Sequence, residues 1–302
     1  MTLILRMISM LTLLNVQDFL QKAIKGGTKL SPDFVDAFIK DCHTSVKKQM
    51  QRSDEPWRLR MSGLGRPLCQ QMLDKQRIEE NMEYNAVLRF LFGDITEAIL
   101  MLIMKQAGVN IVEAQKPCSL EIAGHIVQGT LDVIIEENGE TKVWDIKSAS
   151  DWAFKNKYAQ GYEKLLEEDP FGYIMQGYLY GEAAGYPFGG WIVVNKSSGE
   201  VLQVEVPSWR NDKAAYLKDA ERRVKYLMNP KSKFVKGYTA QAETVRTKGE
   251  LIPTGNKLMP KECGFCGYRQ HCWPKAILHD KVTSRAKFPP KVWYTSLKSE
   301  RV

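Results

Sequence analysis

Beyond its opening stretch, the chain has no apolar run of the roughly eighteen uncharged residues that a membrane-spanning helix needs, so no membrane partner is expected. It has no internal repeat and no low-complexity tract, which excludes a solenoid or a biased linker protein. It also lacks a G-x-x-x-x-G-K-[ST] run or any other helicase signature, so a helicase working with it would be a separate chain. The opening "MTLILRMISMLTLLNV" is apolar, but no small-x-small cleavage site follows it. The pattern instead runs through "QDFLQKAIKGG" as an amphipathic helix ending at Gly26. A cytoplasmic location is therefore expected, with Met7 or Met10 as alternative starts.

What is present is ordinary globular material: 302 residues, 44% hydrophobic and 10% aromatic. The formal net charge of +8 favours a polyanionic partner, because Lys and Arg gain affinity by releasing phosphate counterions. Of six cysteines, Cys42, Cys69, Cys118, Cys263, Cys266 and Cys272, three crowd into "CGFCGYRQHC". In a chain without an export signal such clustering reads as metal or cluster ligation rather than a disulfide scaffold.

Hydrophobic periodicity divides the chain. Residues 1 to 60 read as helical, with a Ser31 cap and Pro32 in the first turn of one helix. A helix is predicted from Glu83 to Gln106, with Gly108 as its stop. Residues 110 to 150 then alternate and are rich in Val and Ile, with "ENGE" as an Asn-Gly hairpin turn. A helix through "FGYIMQGYLYGEAAG", strands "GWIVVNK" and "VLQVEVP", and a charged helix "RNDKAAYLKDAERRVKYLMN" follow. Residues 230 to 262 read as a long connector. The order predicts an α/β fold, a mixed central sheet flanked by helices.

The hairpin carries the chemistry. Asp132 and Asp145 lie six residues before Asn138 and six after Gly139, so they face one another across the ladder. Like charges placed so are destabilising unless something positive lies between them. Magnesium or manganese would take both carboxylates and the Ile146 carbonyl. Lys147, two residues from Asp145, shares its face and could orient a water or offset developing charge. The competing reading is two solvated strand acids beside a surface lysine.

These residues resemble a family. "GTLD" followed by "DIK" is similar to the PD-(D/E)XK nuclease signature, and "QGYLY", with Gln176 and Tyr180, is similar to the Q-x-x-x-Y motif of its RecB-type branch. "GDITE", with Gly93 and Glu97, falls where that branch has its first metal-binding motif, although many members carry histidine at the Glu97 position. The likeness spans Arg66 to Pro274 and implies a restriction-endonuclease-like fold. It further implies Glu97, Asp132 and Asp145 as ligands of Mg2+ or Mn2+, Lys147 as the catalytic lysine, Gln176 beside Lys147 or a phosphate, and Tyr180 on DNA. A buried structural pair is the other reading of Gln176 and Tyr180.

The spacing C-x-x-C-x-x-x-x-x-C leaves a tetrahedral site one ligand short. Cys69, after a Gly and Pro break, is the best fourth ligand, ahead of His271. One distant cysteine with a C-terminal trio resembles the iron–sulfur staple of AddB-type and CRISPR-associated RecB-like exonucleases. That likeness implies a [4Fe-4S] cluster on Cys69, Cys263, Cys266 and Cys272, with zinc as the alternative. Cys42 and Cys118 read as ordinary buried thiols.

After Lys147, "SASDWAFKNKYAQGYEK" interleaves Trp152, Phe154, Tyr158 and Tyr162 with Lys155 and Lys157. That composition suits a single-strand path, with rings to stack on bases and ammonium groups to track phosphates. A half-buried helix with a basic outer face suits it equally. A second basic stretch, Arg222 to Lys236, reads as a solvated face.

The expected parts are 1–82, a helical region with one cluster cysteine, 83–228, the nuclease core, and 229–302, a connector and cysteine region. The expected function is a metal-dependent exonuclease on single-stranded DNA ends, in recombination, repair or CRISPR-type adaptation. A stand-alone chain of this kind is similar to viral or CRISPR-linked nucleases, which would place it in a host cytoplasm if viral. Helicase, recombination or adaptation proteins are the implied partners, and relatives form rings, so a homo-oligomer is within the expectation. The alternatives are a non-catalytic DNA-binding subunit and a zinc-stapled RNA-processing factor.

Overall fold

The computed structural model describes residues 11–51 and 55–298, so the apolar start and the alternative initiators Met7 and Met10 lie outside the described residues. The chain forms two compact units: Met1–Arg66 with Glu83–Met228, and Pro67–Met82 with Asn229–Val302. The stretch 67–82 thus falls with the C-terminal residues, and 1–66 with the central ones.

The first unit is a mixed α/β layer. Helices α1 (Leu11–Ile24), α2 (Pro32–Met50), α3 (Met61–Leu64) and α5 (Tyr84–Gln106) precede a sheet of β1 (Ile111–Ile122), β2 (His125–Glu137), β3 (Glu140–Ala149), β4 (Phe188–Asn195) and β5 (Val201–Glu205). Helix α4 (Leu68–Lys75) lies in the second unit. The strand order is β1-β2-β3-β4-β5, antiparallel except for the parallel β3/β4 pair. That parallel step needs a crossover, and three helices supply it: α6 (Asp151–Asn156), α7 (Tyr162–Glu167) and α8 (Tyr173–Ala184). Helix α9 (Trp209–Met228) closes the unit.

Local chemistry explains these elements. Asn138 (φ 54°) and Gly139 (φ 78°) both take the left-handed conformation that a tight two-residue hairpin turn requires. Strand β4 is an almost unbroken buried run, as expected of a strand covered on both faces. The core joins Leu100, Met101 and Met104 of α5 to Val133, Ile135, Trp144, Ile146 and Ile192 of the sheet. Ser31 precedes α2 as expected, but its hydroxyl makes no cap. Its backbone N–H instead donates to Gln106 Oε1 at the end of α5 (3.2 Å).

Helix α8 is buried from Ile174 through Gly181, consistent with a helix apolar on all sides. Its entry is held by the Asp169 carboxylate, which accepts from the Tyr173 and Ile174 amides (2.9 and 2.8 Å). Gly172 is left-handed (φ 73°) and meets Gly65 backbone to backbone. A Cβ there would lie 2.2 Å from the Gly65 carbonyl carbon.

The second unit holds an antiparallel sheet in the order β6-β7-β9-β8: β6 (Gln241–Thr247), β7 (Glu250–Leu258), β8 (Ile277–Asp280) and β9 (Lys291–Ser296), with short helices α10 (Lys261–Gly264) and α11 (Arg269–Cys272) between β7 and β8. The expected connector at 230–262 is therefore corrected, because most of it is a hairpin turning at Lys248 (φ 52°) and Gly249 (φ 90°). Pro253 and Gly255 within β7, and the polar outer face, hide its alternation. Its core includes Glu243, 1% exposed, whose carboxylate accepts from Asn256, Tyr294 and Thr254. No helix among the described residues is long and apolar enough to cross a membrane.

Candidate active site

The β2/β3 ladder ends at the pair Val133 and Trp144. One step further in the same register sets Asp132 opposite Asp145. The Asp132 carboxylate reaches across this gap, accepting from the Ile146 amide at 2.7 Å. Ile146 thus offers its N–H to Asp132. Asp145 is 2% exposed, and Lys147, on the same face of β3, brings Nζ to 2.5 Å from Asp145 Oδ2. The two form a close, largely buried ion pair. Lys147 Nζ also lies 4.8 Å from the centre of the Tyr173 ring.

Helix α8 supports the acid. Gln176 Nε2 donates to Asp145 Oδ1 at 3.3 Å and to the Tyr180 hydroxyl at 3.2 Å. Gln176 and Tyr180 are one helical turn apart, which places both on one face. Gln176 therefore holds the aspartate, where the resemblance implied Lys147 or a phosphate. Tyr180 is 3% exposed, its ring tight against Gly129, so it is not a DNA contact in this arrangement.

Glu97 approaches from α5 and accepts from Gln115 Nε2 of β1. Burial, together with the Asp145 and Asp94 charges and against the Lys147 ammonium, pushes the Glu97 carboxyl up to about 7. Asp132 is raised by burial and then by Glu97 and Asp145. For Lys147 burial acts the other way, but Asp145, Asp132 and Tyr173 outweigh it, and the ammonium is held above its ordinary value. The cluster is thus an excess of acid around one retained cation, short of positive charge. An open cleft runs from Glu97 and Gln115 along Asp41, Thr44, Ser45 and Lys48.

Two tests bear on a metal here. The donor chemistry fits magnesium or manganese: Glu97, Asp132 and Asp145 are hard oxygen donors, and the charges of Glu97 and Asp145 raise the carboxyl of Asp132. Their oxygens are nevertheless shared among Gln115, the Ile146 amide, Gln176 and Lys147. Among the described residues no group of three or more His, Cys, Asp or Glu side chains is gathered around a point that could hold an ion.

Along the expected single-strand path, Trp152 is 59% exposed and Lys155 is exposed, paired with Asp151 at 3.0 Å. Phe154, Tyr158 and Tyr162 are buried, so Tyr158 belongs to the core and cannot stack on a base. In the second basic stretch, Arg222 and Arg223 bind Asp219, Lys225 binds Glu221, and Arg223 also donates to the Leu64 and Arg66 carbonyls. Sequence reasoning missed Gln115, Tyr173 and Asp169. Tyr173 lies one turn before Gln176 on the same face, a spacing that could have revealed it.

Within the second unit, Cys69, Cys263, Cys266 and Cys272 feel one another electrostatically. Burial raises the thiols of Cys263 and Cys272 and takes Cys266 to about 11, with the neighbouring cysteines adding to each rise. Gly237 leaves room for Cys69, since a Cβ there would sit 2.9 Å from its sulfur. Lys236 Nζ binds the Cys272 carbonyl (2.8 Å) and covers the Trp273 ring at 3.1 Å. The thiols fit a soft metal or an iron–sulfur cluster by donor type. As for the carboxylates, they are not drawn in around an ion. Cys118 is half-buried with its thiol 3.9 Å from Met61 Sδ, and Cys42 is half-buried and free.

No protein-family model matches the chain, and no curated protein does. Among solved structures, one described as the crystal structure of SSO0001 aligns with 75% of this chain and 91% of its own, at 18% identity and a TM-score of 0.42. A likeness this distant carries nothing about activity. The class defined by the geometry above is a mixed α/β protein with a five-stranded mixed sheet and a second antiparallel sheet.

Proposed function

We propose that the chain is a Mg2+- or Mn2+-dependent deoxyribonuclease of RecB-like type that digests single-stranded DNA from its ends. The observation that carries this reading is the grouping of Asp132, Asp145 and Lys147 at the open end of the β2/β3 ladder, with Glu97 raising the Asp132 carboxyl and Gln176 holding Asp145. Glu97, Asp132 and Asp145 would hold the metal, which when bound supplies an acidified water and a counter-charge for phosphate oxygens.

The chain's own groups do the rest. The Lys147 ammonium, favoured by the neighbouring Asp145 and Asp132 carboxylates, would act as a donor to developing negative charge. Gln176 fixes the Asp145 carboxylate through Oδ1. Trp152 and Lys155, exposed after β3, are the groups placed to stack on a base and to track phosphate. In the second unit, Cys69, Cys263, Cys266 and Cys272 would hold a structural [4Fe-4S] cluster, with zinc as the other occupant of such thiolates. Recombination, repair or CRISPR-type adaptation are the settings that suit such an enzyme.

The test is digestion of linear and circular single-stranded DNA by purified protein with manganese. Loss of linear strands with circles spared is the expected result. Cleavage of both adds an endonuclease activity. Salt-sensitive binding without cleavage at any metal concentration would replace this reading with a non-catalytic DNA-binding subunit.

A further inference from the structure

We propose that Gln115 is a positioning residue for Glu97, holding the helix-borne carboxylate from strand β1; the proposal rests on the nuclease reading above. Ala114 pairs with Val133 and Lys116 with Leu131 across β1/β2, so Gln115 falls opposite Asp132, yet that one pair is missing from the ladder. Gln115 is left-handed there (φ 49°), a conformation rare and costly for a residue with a side chain inside a strand. A strand broken this way re-aims the side chain at the break. The Gln115 amide is directed at Glu97, to which Nε2 donates.

The consequence is a direct link between strand and helix. Gln115 holds the register position opposite Asp132 and donates to Glu97 of α5, and both Gln115 and Glu97 line the open cleft. As an uncharged donor, Gln115 engages one oxygen of Glu97 and adds no further negative charge to a site already rich in acid. A merely structural role would show in the stability of the fold; a positioning role shows in how well Glu97 serves a cation.

Gln115→Gly relaxes the left-handed backbone and deletes the amide, while Gln115→Ala deletes the amide alone. Mn2+ binding to the full chain, followed by electron paramagnetic resonance without DNA, is read beside thermal melting and the Mn2+ dependence of cleavage. The expected result is Mn2+ affinity about tenfold weaker in both variants, with the Mn2+ needed for half-maximal cleavage rising in step and the melting temperature of Gln115→Gly no lower than that of the unaltered protein. Unchanged Mn2+ affinity in both variants overturns the proposal and leaves the nuclease reading in place. An unaltered protein that neither binds Mn2+ nor cleaves overturns both.

Discussion

Asp145 is held on both oxygens: it is 2% exposed, with Gln176 on one and the Lys147 ammonium against the other. Lys147→Met is expected to lower the rate of DNA digestion by about 100-fold or more, the scale on which one preorganised donor acts. An end-labelled single-strand assay checks this, and a variant of near-normal rate contradicts the role. Glu97 offers a second measurement. Its carboxyl is raised from an ordinary 4.5 to about 7, so its contribution to stability is fully present below about 4.5 and lost as pH rises through about 7. Asp132 is raised too and acts in the same direction. In a chelator, the melting temperature is therefore expected to fall between pH 5 and pH 8, with the fall shallower in Glu97→Gln. A melting temperature that climbs over that window contradicts the assignment.

At the scale of elements, α8 is where small residues matter most. Gly177 lies against Phe188 of β4, and a Cβ there would come within 2.1 Å of the ring. Gly177→Ala is expected to destabilise by about 1–3 kcal/mol as an overpacked contact. A second change, Phe188→Leu, should recover part of that loss, so the two effects should not add in a denaturant-melt cycle. Because α8 carries Gln176, Gly177→Ala should reduce cleavage as well. Element by element, the helix over Tyr84–Gln106, the Asn138-Gly139 hairpin and the strand pair β4/β5 were legible, because each has a clear period or an unambiguous turn. The β6/β7 hairpin and the β8/β9 pair were not, because Lys, Thr, Gly and Pro dominate there and the buried positions are few.

At the scale of the whole molecule, the cysteine unit and the basic charge make separate predictions. Gly237→Ala places a methyl group against Cys69, and iron or zinc per chain by elemental analysis should fall in it, as in Cys69→Ser. Metal content unchanged in both variants would remove Cys69 from the ligand set. Binding to a single-stranded oligonucleotide should weaken steeply as salt rises, with Trp152→Ala lowering affinity at every salt concentration and Lys155→Ala making the salt dependence shallower. The net charge of +8 predicts a partner of opposite sign but not where it lies, since much of the basic stretch from Arg222 is already paired with acids of its own helix.

The sequence alone determined whatever short-range periodicity and turn chemistry encode: the mixed α/β class, the hairpin that opposes Asp132 to Asp145, and the shared face of Asp145 and Lys147. Packing alone decided which of the neighbouring aromatic and polar residues are reachable. Tyr158 and Tyr180 are withdrawn into the core while Trp152 stays outside, because burial depends on what the fold lays over a residue and not on its local spacing. Only tertiary structure could bring Gln115 to Glu97 and Gln176 to Asp145, since each pair joins a strand to a helix that follows or precedes it by many residues.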